Sequence, residues 1–130
     1  MPYRYTALIT LIMLVTYVWT GLSVAKARRT HGVKAPATEG PDGFNRVYRA
    51  HVNTLEQLVL MLPALWICAA AVGDVWASVL GLVWVIGRIL YVTAYAEAAA
   101  KRGTGFLIGF IALAAAVVAS FGAIILSLSK

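Results

Sequence analysis

Residues Phe44 to Met61 read FNRVYRAHVNTLEQLVLM, the opening of a long apolar segment that nevertheless carries Arg46, Arg49, Asn53, Glu56 and Gln57. On a helix at about 100° per residue, Arg46, Arg49, Asn53 and Gln57 fall at roughly 0°, −60°, −20° and +20°, with Glu56 near −80° at the edge of that face. Guanidiniums, amides and a carboxylate thus share one stripe at the mouth of an apolar span. Charges at that depth are costly unless they face protein, water or a ligand, so the stripe reads as a site.

The composition around this stretch is that of a membrane protein. Of 130 residues, 62% are apolar or aromatic and 12% are charged, against about 25% charged in ordinary soluble domains. A soluble helical bundle would need a polar face along every helix, and residues 5–25 and 104–128 have none. The net charge of +6 does not describe a nucleic-acid-binding face. Lys26, Arg28, Arg29 and Lys34 cluster after the first apolar run, and Lys101 and Arg102 lie between the last two. That is a distribution set by membrane topology. The lone Cys68 sits in an apolar run and reads as packing.

Four spans follow, at about 3–28, 44–72, 75–100 and 104–128, as one all-α four-helix membrane domain over 1–130. The first run is longer than a signal-peptide core and is followed by basic residues, so it reads as a retained span. Residues 31–43 (HGVKAPATEGPDG) form a Pro- and Gly-rich loop. Pro63 predicts a kink near Leu60 to Pro63. Gly73-Asp74 is short enough to force an antiparallel hairpin. The fourth span is rich in Ala and Gly and reads as a close-packing helix. Loops one and three carry the excess Lys and Arg, which places them in the cytoplasm with both termini outside. Short loops and no evident retention signal point to a bacterial inner membrane.

A second polar stripe lies in the third span. Arg88, Tyr91, Tyr95 and Arg102 fall at roughly 0°, −60°, −20° and −40° of one continuous helix, at the same end as the first stripe. With Arg28 and Arg29 they would rim a pocket rich in guanidiniums. Arginines recognise carboxylates with a planar fork, Glu56 offers a place for an ammonium, and Asn53 and the tyrosines offer neutral hydrogen bonds. Glutathione, with two carboxylates, one ammonium and a thiol, matches that set. A guanidinium near the thiol would favour the thiolate by lowering its pKa from about 8.5.

The run Arg46-Val47-Tyr48-Arg49-Ala50-His51-Val52-Asn53, followed by Glu56, resembles the R-V-x-R-A-x-x-N-x-x-E signature of the MAPEG family, membrane-associated proteins in eicosanoid and glutathione metabolism. Ala27-Arg28-Arg29 and the run Gly87 to Tyr95 followed by Arg102 resemble its leukotriene-forming and microsomal glutathione transferase branch. The resemblance implies a homotrimer of four-helix protomers with glutathione bound between subunits. It implies that Arg49, Asn53, Glu56, Tyr91 and Tyr95 hold the tripeptide, and that Arg28 and His51 reach in from the neighbouring subunit. Arg102 would stabilise the thiolate and Arg29 assist at the second substrate. Gln57 and Arg88 complete the candidate binding set. Asn45, His51 and Gln57 depart from residues common in that branch, Gln57 replacing a glutathione-holding Tyr.

Each residue also has a plainer reading. Arg46 could be an interfacial anchor, Arg28 and Arg29 topological flanks, and Tyr91 and Tyr95 aromatic-belt residues. Arg88 could pair with Glu56. Trp66, Trp76 and Trp84 read as belt or packing. His31 and His51 lack ligand-like spacing, so no metal is expected. The expected function is a membrane-bound glutathione transferase acting on lipophilic electrophiles, with peroxidase activity on lipid hydroperoxides as a side reaction. The alternatives are a non-catalytic lipid- or glutathione-binding protein of the same fold, and a small exporter. An exporter would want a carboxylate in its first span, which has none.

Overall fold

The computed structural model describes residues 1–130, with four long helices: α1 (Arg4–His31), α2 (Asp42–Ala71), α3 (Asp74–Glu97) and α4 (Gly103–Leu128). All four are long and apolar enough to cross a membrane. The helix ends follow local chemistry. Gly32 closes α1 in the left-handed region at φ 67°, its N–H donating to the Arg28 carbonyl. Gly73, at φ 142°, makes the tight link from α2 to α3, a conformation open to glycine alone without strain. The Asp74 carboxylate accepts from the backbone N–H of Tyr5 (3.1 Å) and of Thr6 (2.8 Å). It thereby caps the first turn of α1 from the neighbouring hairpin and complements that helix's dipole.

The helices pack in an up-and-down bundle, α1 against α2 and α3, α4 against α3 and α2. One core runs along the bundle and includes Met13, Met61, Leu65, Cys68, Trp84 and Ala116, each wholly buried. Only 30 of 130 residues are buried, and the outer faces of α1 and α4 are lined by Leu, Val, Ile and Phe. Exposure on that scale is untenable in water and costs nothing against lipid tails. Hydroxyls within the spans donate to carbonyls of their own helix, as Thr16 does to Ile12 and Ser120 to Ala116, which leaves them satisfied without water.

The α3–α4 contact is made by backbone. Gly87, Gly105 and Gly109 are buried there, and a Cβ on Gly105 would lie 2.3 Å from the Tyr91 nitrogen. Small residues permit this approach, as the composition of α4 suggests. Several boundaries differ from the sequence expectation. α1 runs on to His31 and α2 starts two residues early, at Asp42; as expected, α2 contains Pro63, which faces outward. The larger correction concerns α3, which stops at Glu97. Ala98 is extended (φ −160°, ψ 138°) and a 3-10 turn, Ala99–Arg102, leads into α4. Arg102 therefore does not continue the helical stripe of Arg88, Tyr91 and Tyr95. No glycine or proline marks the break, so residue spacing alone reads the helix as continuous.

Candidate functional site

The antiparallel hairpins bring the C-terminal ends of α1 and α3 and the N-terminal ends of α2 and α4 to one end of the bundle. There Asn53 of α2 faces Tyr91 of α3, its Nδ2 donating to the phenol oxygen at 2.7 Å. Tyr95 stacks on Tyr91, with centroids 5.6 Å apart and planes 8° from parallel. The 3-10 turn folds back so that the Arg102 guanidinium lies over the Tyr95 ring, Cζ 5.4 Å from its centroid. Its Nη1 also donates to the Ala99 carbonyl. Asn53, Tyr91, Arg102 and Phe106, with the small residues of the turn, line an open cleft of ≈ 560 Å³. That volume is within the range of small-molecule sites. The α3 break re-aims Arg102 toward this cleft.

Arg88, one turn deeper on α3, is 1% exposed. Its Cζ lies 4.3 Å from the Tyr91 ring centroid and 5.6 Å from that of Trp84. Tyr91 lines the cleft and Arg88 does not, so the guanidinium packs on the face of a lining ring. The ion pair with Glu56 is absent within the chain. Arg88 Nε and Nη1 are buried with no partner, and Lys101 with Glu97 (2.9 Å) is the one salt bridge. Gln57, below Asn53, has a buried amide oxygen that also lacks a partner, and Glu56 is exposed on the outer side of α2.

The remaining candidates lie elsewhere in the single chain. Arg49 is exposed and shares a hollow of ≈ 340 Å³ with Thr38, Glu39, Asn45 and Tyr48. Asn45 holds the loop there, accepting from the Gly40 N–H (2.9 Å) and donating to the Gly40 carbonyl (2.8 Å). Arg28 donates to the Ala37 carbonyl at 2.7 Å and lies over Phe44, so it also fastens this loop. Arg29 is exposed at the end of α1. Arg46 is more than an anchor: its Nε donates to the Ala96 carbonyl (3.3 Å) in the last turn of α3, where a cation is favoured.

His51 faces α1, away from the cleft. Its ring stacks on Tyr17, centroids 4.7 Å apart, and Nδ1 is 2.7 Å from Thr20 Oγ1, Nε2 3.4 Å from the Tyr17 hydroxyl. The single hydroxyl proton of Thr20 is directed at the Tyr17 carbonyl, 2.6 Å away. The hydroxyl must then accept from Nδ1–H, which leaves Nε2 to accept from Tyr17. His51→Phe keeps the ring stack and loses both bonds. It is expected to lower stability by about 1–2 kcal/mol, read from the midpoint of unfolding in sodium dodecyl sulfate.

Asn53, Tyr91, Tyr95 and Arg102 are therefore brought together. Arg28, Arg29, Arg49, His51 and Glu56 are not brought to the cleft lining of one chain, nor are Gln57 and Arg88. Phe106 also lines the cleft, in a span that the sequence reads only as a close-packing helix. Its signal is its place one helical turn after Arg102. No group of three or more His, Cys, Asp or Glu side chains is arranged to hold a metal.

Fold and cleft define a four-span helical membrane protein with a cationic, aromatic pocket at one end. The profile of the MAPEG family matches residues 6–122, and the chain belongs to that family. It is 45% identical over 105 residues to the uncharacterized protein sll1147 of Synechocystis sp., covering 81% of this chain and 77% of that one. It is 43% identical over 94 residues to human microsomal glutathione S-transferase 2, covering 71% of this chain and 64% of the relative. With guinea pig (Cavia porcellus) leukotriene C4 synthase it shares 38% over 96 residues, 74% of this chain and 64% of that enzyme. The chain thus spans just under two thirds of the length of these two named enzymes.

Proposed function

We propose that this protein is a membrane-bound glutathione transferase that ionises the thiol of glutathione and delivers the thiolate to lipophilic electrophiles. The observation that carries this reading is the convergence of Asn53, Tyr91 and Arg102, with Tyr95 stacked beneath the guanidinium, around one cleft. The family membership and the names of the two enzymes above support it. Arg102 would hold the thiolate, its proton leaving to solvent, and the sulfur would then bond to the electrophilic carbon as the leaving group departs or the strained ring opens. Asn53, Tyr91 and Tyr95 would position the tripeptide, with Arg49 toward a carboxylate and Glu56 toward the ammonium. Catalysis then rests on positioning and electrostatics, with no covalent intermediate on the protein.

The same reading includes a homotrimer. Arg28 and His51 face away from their own chain's cleft, so any contact they make with glutathione would be in a neighbour's. Arg29 would assist at the second substrate, and Gln57 and Arg88 would line or support the deep end. Loops one and three would face the cytoplasm of a bacterial inner membrane. As a side activity, lipid hydroperoxides would be reduced to alcohols at the same thiolate, two glutathione molecules being oxidised to the disulfide and water released.

A second reading, binding without turnover, is favoured by Gln57. Its amide oxygen is left without a partner, in a place where the leukotriene-forming branch has a Tyr that holds glutathione. Titration calorimetry in detergent, followed by turnover assays with electrophiles and lipid hydroperoxides, separates the two. Binding below millimolar concentration with conjugation is expected. Binding without conjugation would establish the second reading, and no binding at millimolar glutathione would sink both forms of the glutathione proposal.

A further inference from the structure

The outer side of the α3–α4 junction carries a second polar hollow, separate from the cleft. Its volume is ≈ 220 Å³, and Thr93 and Glu97 of α3, Lys101 of the 3-10 turn and Thr104 of α4 supply its polar lining. It shares no lining residue with the cleft. At about 100° per residue Glu97 stands about 200° round α3 from Tyr95, so the two sites lie on opposite sides of that helix. The 3-10 turn divides its cations between them, Lys101 lining the hollow and Arg102 the cleft. The volume falls below the about 300–1,000 Å³ of pockets that enclose whole small molecules, and suits one small polar group.

The groups left free in the hollow define the chemistry of its occupant. The Lys101 ammonium makes one bond, to Glu97 Oε2 at 2.9 Å, which leaves two of its N–H donors open. Glu97 Oε1 has no partner. Thr93 Oγ1 directs its proton to the Ile89 carbonyl at 2.8 Å and keeps its lone pairs to accept. The Thr104 hydroxyl, exposed at the start of α4, bonds to nothing in the chain. A pair as exposed as Lys101 and Glu97 contributes little to stability, so the fold does not account for this arrangement. Free donors on Lys101 and Thr104, beside free acceptors on Glu97 and Thr93, match a ligand that joins an anion to an N–H-bearing cation over a short link.

Below the hollow the surface is aliphatic. Steps of three and four residues carry the face of Thr93 down α3 through Leu90 and Ile86, and that of Thr104 down α4 through Leu107 and Ile111. All four of these apolar side chains are exposed. A polar niche at the end of the spans thus continues into a strip that faces lipid tails, the outline of a phospholipid. We propose that the hollow binds the phosphoethanolamine headgroup of a membrane glycerophospholipid, with phosphate on Lys101 and Thr104, ammonium on Glu97 and Thr93, and acyl chains along the strip below. A choline headgroup has no N–H to donate to Glu97 and a glycerol headgroup has no cation, so the carboxylate selects the primary ammonium. Bonded to Lys101, the lipid would hold from outside the turn that carries Arg102. The inference stands on this hollow and does not depend on the glutathione reading.

The test uses the full chain in dodecyl maltoside, freed of native lipid and offered equimolar dioleoyl phosphatidylethanolamine, phosphatidylcholine and phosphatidylglycerol. Native mass spectrometry counts the lipid retained. Wild-type protein is expected to retain phosphatidylethanolamine about tenfold over either competitor. Glu97→Gln is expected to abolish the preference over phosphatidylcholine, and Lys101→Gln to lower retention of all three lipids. Both side chains are exposed, so both variants are expected to keep the helical circular dichroism of the wild type. Wild-type retention of phosphatidylethanolamine no greater than that of the other two, or a preference that survives Glu97→Gln, would overturn the proposal. Water-soluble glycerophosphoethanolamine in excess is expected to leave the lipid in place, because it lacks the chains. Displacement by it would assign the hollow to a free phosphate compound and overturn the lipid as occupant.

Discussion

Replacing Gly105 by alanine is expected to separate α3 from α4 and destroy the cleft. A Cβ there would lie 2.3 Å from the Tyr91 nitrogen, 2.6 Å from its Cα and 2.7 Å from the Gly87 carbonyl oxygen. All three are backbone atoms, so no rotamer change can relieve the overlap. The helices must move apart, taking with them Tyr91 on one side and Phe106 on the other. Overpacking in a rigid contact costs about 1–3 kcal/mol and more where backbone must shift, and the top of that range is expected here. Gly122→Ala on the same helix is the control, because a Cβ there meets nothing within 4 Å. Gly109→Ala falls near the control, its nearest neighbour being the Trp84 ring at 3.7 Å. Unfolding midpoints in sodium dodecyl sulfate and glutathione binding together give the answer. A Gly105→Ala protein that unfolds and binds like Gly122→Ala would show that the α3–α4 backbone contact is not formed.

The second large effect is on turnover. Arg102→Ala is expected to lower the rate of conjugation at pH 7 by about a hundredfold or more, the usual loss when one group aimed at developing negative charge is removed. The apparent affinity for glutathione should change little, because Asn53, Tyr91 and Tyr95 remain. The pH profile carries the diagnostic. On the proposed mechanism the guanidinium holds the thiol pKa below its usual value of about 8.5, so the rate is expected to be near its plateau already at neutral pH. Without it the pKa returns toward that value, and activity should rise again as the pH passes through about 8.5. Arg102→Lys should lie between, keeping charge and losing the planar fork. An Arg102→Ala enzyme with unchanged kcat and an unchanged profile would remove Arg102 from the mechanism.

The Asn53–Tyr91 contact joins these two expectations. It crosses from α2 to α3 next to the glycine seam, so the packing of α4 against α3 and the polar geometry of the cleft are mechanically one. Arg46, bonded to the Ala96 carbonyl, ties the same two helices nearer the membrane surface. The end of α3 is thus held from α2 while the 3-10 turn carries Arg102 back over Tyr95.

Four apolar runs, two polar stripes at one end and a glycine-rich last span were legible in the residue order. Hydropathy and helical period are local properties, and a membrane enforces them along each span independently. Tertiary structure decided the rest. It broke α3 at Ala98, where no residue type announces a stop, and so aimed Arg102 by a turn rather than by a helix face. It turned His51 toward Thr20 and Tyr17, committed Arg28 to a loop carbonyl, and left Arg88 and Glu56 unpaired within the chain. Helical spacing gives the angle of a side chain about its own axis. Which neighbour it meets depends on how the helices are placed against one another, and close backbone packing at Gly87 and Gly105 sets that placement for α3 and α4.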